Sequence, residues 1–328
     1  MNEESPSPRP EARGLAGLIG QEQVVRTLRG ALASGRLHHA YLFDGPEGVG
    51  KATCARALFL AHNCLAPPAL GEACGACETC HKVRVGTHPD LVLLDMTLQG
   101  LADEVERLIR RLAHPPHEAR VRMVLLDPAD NLAAPTAATA ANRLLKTLEE
   151  PPARTHFVLI TCAAQGLLPT IRSRTQRLRF VPLPDDLIAA ELLARGHREP
   201  EMAVRLAQGS LGRALRYMEE RAALDARQEA AGALRAAARS GAQRMAELAA
   251  EVGRDRDEAQ ETLGLLWLAL HNELRAAVDG PAGIQRELLR QLRVVDEARM
   301  AIRRYTSAPL ALEWMMRHLT PPTPGRPS

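Results

Sequence analysis

Two groups of residues have the types and spacing that could do chemistry. Residues 45–52 read Gly-Pro-Glu-Gly-Val-Gly-Lys-Ala. This is the spacing of a phosphate-binding loop, in which backbone N–H groups cradle phosphates, a lysine reaches the terminal ones and a following Ser or Thr holds Mg²⁺. Gly45, Gly48, Gly50 and Lys51 are present, but Ala52 stands at the hydroxyl position. Thr53 does not replace it, because neighbouring helix residues project about 100° apart. RMVLLD at 122–127 resembles the second strand of such sites, with Asp127 as its metal-binding acid. The next residue, where an ATPase carries a water-orienting Glu, is Pro128, and Asp130 reads as the N-cap of the following helix. Two independent losses argue against hydrolysis at this site. Backbone amides and Lys51 could still bind phosphates without Mg²⁺, so nucleotide retention stays open.

The second group is Cys64, then Cys74-x-x-Cys77-x-x-Cys80, in a loop with Pro67, Pro68, Gly71 and Gly75. Four thiolates at this spacing suit a closed, tetrahedral, structural Zn²⁺ site. An iron–sulfur cluster is the rival, but the ferredoxin run needs a fourth Cys three residues on, and none is there. A set of free or redox-active thiols is the third reading. His62 and His81 flank the cluster, as spare ligands or as ordinary surface histidines. Cys54 and Cys162 read as plain buried thiols.

Short apolar runs at 39–44, 91–95, 122–127 and 156–161, alternating with helical segments near 100–113 and 130–149, predict an α/β domain with a parallel sheet. QRLRFVPL closes it near 183. Pro184-Asp185 reads as a helix start with Asp185 as N-cap, and helices broken at Gly196, Pro200 and Gly209 predict a small helical lid over 184–220. Residues 221–320, rich in Ala, Leu, Glu, Arg and Gln, predict an all-helical domain broken at Gly241, Gly253 and Gly280-Pro281. The polar, Pro-rich 1–14 and PPTPGRPS at 321–328 read as disordered tails. The cysteine module lies at 64–80 inside the 15–183 domain.

Composition narrows the function classes. A net charge of +3 over 328 residues gives no global basic field, and 3% aromatics do not furnish a base-stacking platform for single strands. No apolar run is long enough to span a membrane and the N-terminus is unlike a secretory signal, so the expected compartment is the cytoplasm.

The runs LIGQ, HAYLFDGPEGVGK, the four cysteines, GTHPDL, LLKTLEEPP, LLPTIRSR and GSLGRAL together resemble the bacterial DNA polymerase III clamp loader subunits of the AAA+ superfamily, of the delta-prime type. The resemblance covers roughly 15–220; the helical remainder is similar to the family's oligomerisation collar by pattern only. It implies a P-loop AAA+ domain with an inserted zinc module, a helical lid and a collar. In that family a Ser-Arg-Cys triplet presents an arginine to a neighbour's ATP; here the triplet is Ser173-Arg174-Thr175, so Arg174 carries over. Thr161 falls at the first sensor position, where a γ-phosphate contact and a merely satisfied strand-end threonine are both open. The second sensor arginine is replaced by Gly212, with Arg213 displaced by one. Arg172 and Arg177 receive no role.

The resulting expectation is a non-hydrolysing clamp loader subunit that donates Arg174 in trans. Its expected partners are gamma/tau and delta subunits and, through the complex, the sliding clamp and primed DNA. An active gamma/tau-type ATPase subunit is one alternative, opposed by Ala52 and Pro128. A zinc-containing DNA adaptor is the other, opposed by near-neutral charge.

Overall fold

In the computed structural model the described residues are 14–97, 101–133, 138–278, 280–303 and 307–320. The expected tails therefore lie outside the described residues, apart from Gly14. The chain divides into two compact units, residues 1–215 and 216–328.

The first unit begins with α1 (Glu22–Ala33) and β1 (Ala40–Asp44), followed by α2 (Lys51–Asn63) and α3 (Glu78–Arg84). Then come β2 (Leu91–Asp95), α4 (Leu101–Leu112), β3 (Arg122–Asp127), α5 (Ala138–Glu149), β4 (Thr155–Thr161), α6 (Pro169–Arg172) and β5 (Gln176–Arg179). The strands form one parallel sheet in the order β2-β3-β4-β1-β5. Its three central strands are covered on both faces, which is why they read as unbroken apolar runs. Of the edge strands, β2 is partly covered and β5 is largely exposed. One face carries Tyr41, Phe43, Met123, Leu125, Val158 and Ile160 against α2, whose Cys54, Leu58 and Phe59 are fully buried. The opposite face packs Leu42, Leu126, Phe157 and Leu159 against α4 and α5, where Val105, Leu108 and Leu112 recur at helical spacing.

The run GTHPDL serves this packing. Asp90 is wholly buried and accepts from the N–H groups of His117 (2.8 Å), Glu118 (2.8 Å) and Ala119 (2.9 Å), and from Arg122 Nε at 3.3 Å. Arg122, itself 3% exposed, donates to the carbonyls of His114 (2.9 Å) and Pro115 (2.8 Å). The carboxylate thereby fixes the loop that enters β3. Burial pushes its pKa up, but the three N–H donors and the guanidinium outweigh burial and hold it below the usual carboxylate range.

Three helices close the unit: α7 (Asp185–Ala194), α8 (Glu201–Ala207) and α9 (Leu211–Glu219), which runs past the division into the second. Asp185 is the first helical residue rather than the N-cap; Pro184 holds the cap position, and its fixed φ suits a helix start. The second unit continues with α10 (Arg221–Ala237), α11 (Ala242–Val252), α12 (Arg256–Ala276), α13 (Ala282–Arg303) and α14 (Ala308–Leu319). Its core includes Leu234, Leu263, Leu266, Leu270, Val295, Ile302, Leu312 and Met315. Asp255 caps α12 by accepting from Asp257 N (2.8 Å) and Glu258 N (2.9 Å).

Candidate functional site

The loop between β1 and α2 bends where only glycine fits. Gly48 sits at φ +73°, and a Cβ there would stand 2.2 Å from Ser210 Oγ; at Gly45 it would stand 2.4 Å from the Phe180 carbonyl. The start of α9 is the reason for the first restriction. Gly212 N donates to the Gly48 carbonyl at 2.9 Å, so α9 lies backbone to backbone on the loop. A Cβ at position 212 would be 3.0 Å from Gly48 Cα. Gly212 is thus built into the closed loop, with little space for a side chain.

Lys51 opens α2 and is 5% exposed. Its Nζ donates to the carbonyls of Gly45 and, at 2.7 Å, Pro46, and lies 3.7 Å from Cys162 Sγ. The loop's own carbonyls therefore satisfy the lysine. Cys162 is exposed, contrary to the buried thiol expected from sequence, because the chain leaves β4 there and turns into the cleft. Cys54 is buried as expected.

A cleft of about 560 Å³ opens beside the loop. Gly48, Gly50, Lys51, Ala52, Asp127, Pro128 and Thr161 all line it, as do Thr53, Asp130 and Gly212. The phosphate-loop residues, the strand-end acid and the strand-end threonine are thus together, although no acid occupies position 128. Burial raises the pKa of Asp127, partly offset by the charges of Lys51 and Arg56. Asp130 is not an N-cap: it is the second residue of a 3-10 turn at Ala129–Ala133, and its carboxylate faces the end of β4. It accepts from Thr161 Oγ1 at 2.6 Å, Cys162 N at 3.1 Å and Ala163 N at 3.2 Å. With its hydroxyl donated to Asp130 and accepting from Ala163 N at 3.0 Å, Thr161 is satisfied internally.

Arg174 is not among the described residues lining this cleft. It follows α6, and its guanidinium donates to Glu149 Oε1 at 2.5 Å and to the Thr170 carbonyl at 2.9 Å. Glu149 closes α5 and was not singled out in the sequence, although two acids at a helix C-terminus were a visible signal. Arg177 pairs with Asp44 (Nε to Oδ2, 2.9 Å), tying β5 to the end of β1.

The four cysteines converge. Their Sγ atoms lie within 4.8 Å of one another, with separations of 3.5 Å (Cys77–Cys80), 3.9 Å (Cys64–Cys80) and 4.0 Å (Cys64–Cys77, Cys74–Cys80). A tetrahedron of Zn–S bonds of about 2.3 Å places sulfurs about 3.8 Å apart, so the set could hold one such ion. A multi-iron cluster would spread its thiolates further. The N–H groups of Ala76 and Cys77 bring the Cys74 thiol down to about 6, favouring the thiolate a metal needs. Neither His62 nor His81 belongs to this group; the His62 ring instead faces that of His156, with centroids 6.3 Å apart.

A parallel five-stranded sheet with a phosphate-loop turn and a cleft at the C-terminal ends of its strands defines the P-loop class of α/β proteins. The sequence model of the family described as "DNA polymerase III, delta subunit" matches residues 20–184, half of the chain, and the chain belongs to that family of clamp loader subunits. The DNA polymerase III subunit gamma/tau of Mycobacterium tuberculosis H37Rv is 38% identical over 182 residues, covering 55% of this chain and 30% of that protein. The subunit tau of Escherichia coli K12 is 33% identical over 213 residues, 62% of this chain and 32% of that protein. The subunit delta' of Bacillus subtilis 168 is 37% identical over 190 residues, 57% of this chain and 55% of that protein. The chain thus spans about a third of the gamma/tau and tau relatives it matches.

Proposed function

We propose that this chain is a clamp loader subunit that does not hydrolyse ATP at its own site and lends Arg174 to the ATP site of an adjacent subunit. The observation that carries this reading is the state of its own cleft. Lys51 is held by the carbonyls of its own loop, α9 rests on Gly48, and Ala52 and Pro128 stand where a metal-binding hydroxyl and a water-orienting acid belong. A cation outside that cleft, on a short turn after α6, suits a role toward a neighbour. An arginine placed on a transferring γ-phosphate contributes about 10³–10⁵ in rate. The four cysteines hold a structural Zn²⁺, and helices α10–α14 form a collar that joins the other subunits. Those partners are gamma/tau and delta subunits, with the sliding clamp and primed DNA engaged through the complex in the cytoplasm. Among the described residues no helix is long and apolar enough to cross a membrane.

Similarity to gamma/tau proteins favours a second reading, an active ATPase subunit. The two are separated by one experiment. The chain is reconstituted with gamma/tau-type subunits of which only the copy adjoining it keeps its phosphate-loop lysine, so that turnover reports a single site. Arg174→Ala is expected to lower that turnover about 10³-fold while the complex still assembles. Unchanged turnover refutes the trans role, and ATP hydrolysis by this chain alone establishes the second reading.

A further inference from the structure

The placement of Glu149 is unfavourable by the rules of its own helix. It is the last residue of α5, followed by Glu150 and then by Pro151-Pro152, which end the helix. The C-terminus of a helix carries the negative end of its dipole, so carboxylates there are repelled. Lys146 occupies the same last turn, yet the ion pair that Glu149 makes is with Arg174, 25 positions along the chain. Building on the trans role of Arg174, we infer that Glu149 is a positioning residue: it holds the guanidinium in place for a phosphate on the adjoining subunit.

The geometry supports anchoring. One guanidinium nitrogen donates to Glu149 Oε1 at 2.5 Å; the other donates to the Thr170 carbonyl at 2.9 Å and to Ser173 Oγ at 3.4 Å. The side chain is thus gripped from two sides, by the end of α5 and by α6 with the residue that follows it. Arginine has five N–H donors in a rigid fork, so these contacts leave donors for a bidentate meeting with phosphate oxygens. Fixing a flexible side chain in advance removes that ordering cost from the transition state. The pair is partly exposed, at 33% for Arg174 and 47% for Glu149, and exposed ion pairs contribute little to stability. Glu149 is therefore better explained by placement than by folding.

The test uses the same single-site complex. Glu149→Gln keeps the shape of the side chain and removes its charge. It is expected to lower kcat about tenfold, since Thr170 and Ser173 still hold part of the fork, while KM for ATP stays within about twofold. In the Glu149→Gln/Arg174→Ala double variant the loss should equal that of Arg174→Ala alone, because the two act as one unit. Thermal unfolding of the single variant should match the parent. If Arg174→Ala loses turnover and Glu149→Gln does not, the positioning role is overturned and the trans role survives. If the two losses multiply, Glu149 acts independently of Arg174 and the inference also fails. If Arg174→Ala changes nothing, the trans role falls and takes this inference with it.

Discussion

Asp90→Ala tests the internal scaffold of the first unit. The substitution removes the acceptor of three backbone N–H groups and the counter-ion of Arg122, which is 3% exposed. Breaking a buried ion pair by deleting one partner costs roughly 3–5 kcal/mol, because the remaining charge is left uncompensated. Each orphaned buried donor adds about 1–3 kcal/mol where water cannot reach it. A loss of at least about 4 kcal/mol follows, a large part of the roughly 5–15 kcal/mol that holds a domain together. Urea unfolding followed by far-UV circular dichroism measures it. Adding Arg122→Met should recover part of the loss, since it removes the stranded charge. The pH dependence has a definite sign. The folded carboxyl sits below its unfolded value of about 3.9, so its contribution is complete above that pH and disappears as pH falls through the folded value. A loss below about 1 kcal/mol with Asp90→Ala would refute the assignment of this carboxylate as the anchor of the β3 entry loop.

Elemental analysis of the purified chain should find one zinc per chain and no iron, and Cys77→Ala should abolish the zinc and lower thermal stability. Lys51→Ala should leave turnover of the single-site complex within about twofold, because the carbonyls it donates to are those of its own loop; a loss of an order of magnitude would show that this cleft serves the reaction. Burial and the neighbouring rings of His38 and His156 hold the His39 pKa below its ordinary value, so the folded state resists protonating it. Its contribution to stability is therefore complete above the unfolded pKa of about 6.5 and declines as pH falls below it; His39→Gln should flatten that part of the stability profile.

The sheet was legible because its central strands are buried on both faces, so RMVLLD and HFVLIT stand out as apolar runs, and they became β3 and, with Thr155 added, β4. The convergence of the cysteine set was legible because it is local: three of the four thiols lie within seven residues. Asp130 was misread for the same physical reason in reverse. Local pattern suggested a cap, but its carboxylate meets the end of β4, 31 positions away from it at Thr161. Cys162 was misread because burial of the residue after a strand depends on whether the chain turns into a cleft.

Residue types alone established that this chain has a phosphate loop without its hydroxyl, a second strand without its following acid, and four closely spaced thiols. What they could not establish is where the cations go. That Lys51 is satisfied by its own loop, that α9 lies on Gly48, and that Glu149 meets Arg174 were decided by packing between elements distant in the chain. Motif chemistry is written over a few consecutive residues, whereas the partner of a charge is selected by the fold that brings two distant segments within hydrogen-bond reach.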